Sequence, residues 1–61
     1  MAAKFEIYED VAGKFRWRLV HTNGQVIAES GESYKAKAKA ISGVNSVKEN
    51  APSAAVEDKT A

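Results

Sequence analysis

Phe15, Trp17 and Leu19 alternate with Arg16 and Arg18 before the chain reaches Asn23-Gly24. Alternation at period two marks a strand with one apolar and one basic face, and Asn-Gly between two such runs is a strong hairpin signal. Residues 4–9, Lys-Phe-Glu-Ile-Tyr-Glu, alternate in the same way, and Asp10-Val-Ala-Gly13 supplies the turn that follows, with Gly13 free to take a positive φ. The pattern predicts strands at 4–9, 15–21 and 25–30 in one antiparallel sheet.

The register of the first pair follows from the apolar positions. Pairing Glu9 with Lys14 would set Phe5 and Ile7 beside Arg16 and Arg18. Drawing Lys14 into the turn pairs Glu9 with Phe15, Ile7 with Trp17 and Phe5 with Leu19. A one-residue slip exchanges the two faces, so burial of the apolar set selects the second arrangement. Phe5, Ile7, Phe15, Trp17 and Leu19 then share one face, and Lys4, Glu6, Tyr8, Arg16, Arg18 and Val20 the other. A two-residue turn at Asn23-Gly24 adds Val26 and Ala28 to the apolar face and Ile27 and Glu29 to the polar one. A longer loop would swap these assignments, so the facing of the third strand stays open.

After Gly31-Glu32-Ser33 the period changes to that of a helix. Ala36, Ala40, Ile41, Val44 and Val47 fall in one arc, opposite Lys35, Lys39, Ser42, Asn45, Ser46 and Glu49. The spacing predicts an amphipathic helix over 35–49, ended by Asn50 and Pro52. Gly43 inside it costs about 1 kcal/mol against Ala and points to close approach of helix and sheet. Phe5, Ile7, Phe15, Trp17, Leu19, Ala40, Ile41, Val44 and Val47 make the expected core. Ala54-Ala-Val-Glu57 reads as a weak fourth strand. Residues 1–3 and 58–61 read as disordered ends flanking one domain at 4–57.

Composition narrows the assembly and the chemistry. A protein of 61 residues buries only about 60% of its unfolded surface. Such small scaffolds lean on disulfides, a metal or oligomerisation. With no Cys and a single His, His21, disulfides and thiolate metal sites are excluded, and oligomerisation is left. No cofactor is implied. Nine basic against eight acidic residues give a net charge of +1, too balanced to demand nucleic acid or a membrane. Neither a signal peptide nor a membrane span is apparent, which makes the cytoplasm the default address.

Lys4-Phe-Glu-Ile-Tyr8, Gly13-Lys-Phe-Arg-Trp-Arg-Leu19, Asn23-Gly24, Ile27-Ala-Glu-Ser30, Tyr34 and Gly43-Val-Asn-Ser-Val-Lys-Glu-Asn-Ala-Pro52 together resemble the YegP-like family of small bacterial proteins of unknown function. The resemblance implies an α+β unit of order β-β-β-α-β, with one helix packed on one face of an antiparallel sheet. It also implies that two units share a sheet by exchanging C-terminal strands, hence a homodimer for a single-unit protein. It implies no activity and no catalytic residues. Where the family commonly places Ser or Thr after the aromatic that precedes the helix, Lys35 stands here, so the helix lacks its usual cap unless Ser33 serves from further back.

Two function classes remain. One is a structural or interaction module without a catalytic site. The other is a weak binder of single-stranded nucleic acid or another anion. It would use Arg16, Arg18 and Tyr8 on the basic sheet face, with Lys35 and Lys39 at the helix N-terminus, cations tracking phosphates while the aromatic stacks a base. Against it, Glu6 and Glu29 fall near the arginines, and cross-strand ion pairing on a solvated face is the simpler account. An enzyme is disfavoured. His21 beside the Asn-Gly turn has no carboxylate or nucleophile implied within reach, and a general base needs both a partner and a pocket.

Overall fold

The computed structural model describes residues 3–60. Three strands, β1 (Ala3–Glu9), β2 (Phe15–His21) and β3 (Val26–Glu29), form one antiparallel sheet in that order. The helix α1, Lys37–Asn50, follows, and one 3-10 turn, Ala51–Ser53, ends the regular structure. The expectation of disorder at the two ends falls partly on Met1, Ala2 and Ala61, which lie outside the described residues.

β1 and β2 pair with Glu9 opposite Phe15, Ile7 opposite Trp17 and Phe5 opposite Leu19, the register that the apolar pattern requires. Both hairpins close with the same three-residue loop. Asp10 N–H donates to Lys14 O (2.8 Å) and Gly13 N–H to Asp10 O (3.0 Å); His21 N–H donates to Gln25 O and Gly24 N–H to His21 O, each at 2.8 Å. Gly13 and Gly24 take φ of 77° and 89°, and no other described residue has a positive φ.

The Asn23-Gly24 turn therefore differs from the two-residue form expected, because that form needs φ > 0 at both central residues and Asn23 does not adopt it. The longer loop moves Val26 opposite Val20, away from the apolar face. A bulge at Ile27 then absorbs the extra residue, so Ala28 still faces Leu19 and Glu29 still faces Arg18. β3 is also shorter than 25–30. Beyond it, Ser30 N–H donates to Trp17 O (2.9 Å), and Trp17 N–H donates to Ser30 Oγ (3.3 Å). The Ser30 hydroxyl takes the place of a ladder carbonyl, which is why it is buried. Phe15 and Tyr34 then exchange two backbone hydrogen bonds of 2.8 Å, so β2 is held on this side to its first residue.

The helix begins at Lys37, two residues later than its apolar spacing suggests, and Ala36 at the N-cap makes no side-chain hydrogen bond. Lys35 and Ala36 offer no acceptor, and Ser33 does not substitute. At the other end Asn50 Nδ2 donates to Ser46 O (2.8 Å), and Pro52 sits within the 3-10 turn.

Trp17, Val20, Ala40 and Val44 are buried. A Cβ placed on Gly43 would stand 2.9 Å from Tyr34 Oη and 3.0 Å from Trp17 Nε1, which confirms the close approach expected at this glycine. Trp17 Nε1 is buried without a hydrogen-bond partner among the described residues, and Phe5 meets the indole edge-on at 5.8 Å. The core is narrower than expected. Phe5, Phe15, Leu19 and Val47 are half-buried, while Ile7 and Ile41 stay 36% and 40% exposed, because one helix covers little more than the central strand. Val20, placed on the polar face by alternation, is buried between Lys4 and Val26, its partners on the two neighbouring strands.

Ala54-Ala-Val-Glu57, expected as a weak fourth strand, forms no strand. Residues 54–60 have no regular structure and are exposed, Val56 at 96%. One valine and two alanines bury too little area on their own sheet to offset the entropy of ordering a fourth strand.

Candidate functional site

A dense cluster of paired charged groups lies on the sheet face opposite α1. Alternation along β1 and β2 brings Tyr8, Arg16 and Arg18 to that face, with Glu6 directly across from Arg18. Arg18 Nε donates to Glu6 Oε1 at 2.7 Å, and its guanidinium carbon lies 4.7 Å from the centre of the Tyr8 ring. Lys4 Nζ reaches the other oxygen of Glu6 at 3.5 Å. Arg16 Nε donates to Asp10 Oδ2 at 2.9 Å, while Asp10 Oδ1 accepts from the main-chain N–H groups of Ala12 and Lys14 at 2.9 and 3.0 Å.

These contacts set the protonation states. The hydrogen bond from Arg18 holds the Glu6 carboxyl below its ordinary range, its charge and Lys4 add to the effect, and desolvation opposes it. Asp10 is lowered first by the Arg16 hydrogen bond and then by the Lys14 and Ala12 amides, again against desolvation. Both arginines are pushed further up by the same bonds, with Glu29 adding a smaller attraction. The face is a ladder of neutralised pairs.

The five sequence-derived contact residues do not form one site. Tyr8, Arg16 and Arg18 are brought together, while Lys39 sits in the first turn of the helix that packs on the opposite face, against Trp17, and Lys35 lies in the bend just before that helix. The arginines are engaged by Glu6 and Asp10, and Tyr8 is covered by Arg18, so the platform a nucleic acid would need is already occupied. Asp10 was the residue missed. Its signal is an Asp three positions before Gly13, where it can tie the turn and still reach back along β2.

At the open end of the β1–β2 pair, Ala3, Lys4, Glu6, Val20, His21, Thr22 and Gly24 line a shallow recess of about 530 Å³, its one carboxylate, Glu6, already paired with Arg18 and Lys4. His21 Nδ1 accepts from the Asn23 N–H at 3.3 Å and lies 3.3 Å from Thr22 Oγ1. A hydroxyl beside an imidazole has the elements of a nucleophile and base. Here both are exposed, and the ring nitrogen beside the hydroxyl is the one already engaged by the Asn23 main chain, so the contact serves the turn. Among the described residues no group of three His, Cys, Asp or Glu could hold a metal ion, and no helix is long and apolar enough to cross a membrane.

The family described as Domain of unknown function (DUF1508) matches residues 10–58. The protein belongs to this family. A UPF0339 protein of Treponema denticola is 59% identical over 56 residues, covering 92% of this sequence and 95% of that one. A UPF0339 protein of Stutzerimonas stutzeri is 56% identical over 85% of this sequence but only 46% of its own length. A protein from Haloferax volcanii, solved by NMR, is 55% identical with a TM-score of 0.87, covering 92% of this protein and 93% of that one. The YegP-like resemblance is thereby borne out, with one correction: the relatives are not confined to bacteria, since archaeal homologues also occur. The family is one of unknown function, and no catalytic function is indicated for it.

Proposed function

We propose that the protein is a non-catalytic interaction module that works as a homodimer in the cytoplasm, each copy completing the other's sheet with its C-terminal segment. The observation that carries this reading is the way residues 54–60 stand off their own body. The radius of gyration is 13.0 Å, against about 10.5 Å for a compact protein of this length. The long axis is 38 Å, against 25 and 24 Å for the others. Ala54 already has extended backbone angles, and Val56 has no apolar neighbour to bury it.

An acceptor for that segment exists on a second copy. β1 is an edge strand with seven residues and no bulge, whereas β3 is four residues long and interrupted at Ile27. An unpaired regular edge is a template for an added strand. Ile7 on β1 and Ile41 on α1 remain exposed apolar side chains that an incoming Val56 could cover. The Stutzerimonas relative supports pairing of units, since the matched region accounts for less than half of its length and leaves room for a second unit.

Sedimentation velocity at micromolar concentration tests the reading. The expected result is a dimer whose melting temperature rises with protein concentration. Val56→Asp, and truncation after Asn50, should each give monomer or unfolded protein. A full-length monomer with concentration-independent melting would overturn it. Binding of a single-stranded oligonucleotide, lost steeply as salt rises, would instead favour the nucleic-acid class.

A further inference from the structure

Asn23 and Gly24 lie exposed at the tip of the β2–β3 hairpin, and Gly24 has no side chain to obstruct the approach of its main-chain nitrogen to Asn23 Cγ. We propose that this pair is a spontaneous deamidation site whose rate is governed by opening of the β3 edge. In the reaction the Gly24 nitrogen loses its proton to solvent base and bonds to Asn23 Cγ. The bond between Cγ and Nδ2 of Asn23 breaks, ammonia leaves, and a cyclic imide remains. Water then adds to either imide carbonyl, giving aspartate or isoaspartate. The net change consumes one water and releases one ammonia, with no oxidant, metal or enzyme.

The closed turn opposes ring closure by engaging both reacting groups elsewhere. Gly24 N–H donates to His21 O at 2.8 Å, Asn23 Oδ1 accepts from Gln25 N–H at 2.9 Å, and Asn23 N–H donates to His21 Nδ1 at 3.3 Å. What holds the turn shut is weak. All four β3 residues are exposed, the ladder breaks at Ile27, and the first buried residue along this segment after the turn is Ser30. Sheet edges with few buried contacts open locally far more readily than the whole domain unfolds.

The two products have different consequences. Aspartate keeps the acceptor for Gln25 N–H and leaves the hairpin intact. Isoaspartate inserts an extra backbone carbon into a loop whose two closing hydrogen bonds span only three residues, so it loosens β3. Either product lowers the net charge from +1 to zero.

The test incubates the full-length protein and a synthetic peptide of residues 18–29 side by side at mildly alkaline pH. Peptide mapping reads conversion, and an isoaspartyl methyltransferase assay counts isoaspartate. Asn23 should convert, Asn45 and Asn50 in the helix should not, and the folded protein should lag the peptide by at least about tenfold, equivalent to about 1.4 kcal/mol of opening free energy. Ser30→Ala should bring the rate towards that of the peptide. If this variant does not fold, hydrogen exchange of the Gly24 amide in the natural protein replaces it, and the protection must match the lag. Equal rates in protein and peptide, conversion at Asn45 as fast as at Asn23, an unchanged rate in folded Ser30→Ala, or protection that does not match the lag would each overturn the proposal.

Discussion

Gly43→Ala reverses sign between an exposed helix and this one. On an open helix surface the change stabilises by about 1 kcal/mol, because alanine loses less backbone entropy. In α1 the new methyl would stand 2.9 Å from Tyr34 Oη, 3.0 Å from Trp17 Nε1 and 3.4 Å from Tyr34 Cζ, whereas unstrained carbon contacts begin near about 3.5 Å. Neither ring can retreat easily: Trp17 is buried in the core, and the Tyr34 backbone is pinned to Phe15 by two hydrogen bonds. Overpacking of this kind costs about 1–3 kcal/mol, so after the propensity gain the net loss is about 0–2 kcal/mol. In a domain this small each 1 kcal/mol moves the melting temperature by about 4–8 °C. Thermal denaturation by circular dichroism at fixed protein concentration measures the shift, with Trp17 fluorescence as a second probe. Tyr34→Phe removes the nearest atom, so Gly43→Ala should cost about 1 kcal/mol less in that background, a coupling that a double-mutant cycle isolates. A rise in melting temperature on Gly43→Ala, or no coupling to Tyr34→Phe, would refute the packing argument.

Strand pairing and the helix face were legible in the residues, and turn geometry was not. The register of β1 against β2 could be read because five apolar side chains had to share one face, a demand only one alignment meets. Asn-Gly did not fix its own turn, since glycine at positive φ serves both a two-residue turn and the last position of a three-residue loop. Asp10-Val-Ala-Gly13-Lys14 set beside His21-Thr-Asn-Gly24-Gln25 points to the second form, because each places glycine three residues after the residue that opens the loop, Asp10 or His21. The bulge at Ile27 follows from Ala28 and Glu29 keeping their places after the longer loop, a long-range demand with no local signature. Burial at Ile7 and Ile41 was overestimated because period gives a face, while coverage depends on how far one helix extends across the sheet. The charged face divides the same way. That Arg16 and Arg18 lie side by side follows from alternation, but the Asp10 contact depends on how the turn curls back, and Lys35 and Lys39 share charge with the arginines without sharing a surface.

Ser30→Ala should destabilise by about 1–3 kcal/mol, since it leaves the buried Trp17 N–H without its acceptor; a lowered urea midpoint at constant slope is the signature. Ala36→Asp should stabilise by about 1 kcal/mol by supplying the missing N-cap acceptor and a negative charge among Lys35, Lys37 and Lys39, and an unchanged melting temperature would mean the helix starts elsewhere. The acid limb of stability gives the last prediction. Glu6 and Asp10 have folded-state pKa values below their ordinary ones, so as pH falls the unfolded state takes up their protons first and stability drops. Their contribution is complete above the ordinary values of 4.5 for Glu6 and 3.8 for Asp10 and drains away as pH falls through the lowered ones. Glu6→Gln and Asp10→Asn should each lower stability at neutral pH and flatten the acid limb, and added salt should shrink the difference because the pairs are solvent-accessible. Denaturation midpoints measured from neutral to acid pH decide the matter: if the natural protein and both variants lose stability along parallel curves, the ion-pair ladder does not contribute to holding β1 against β2.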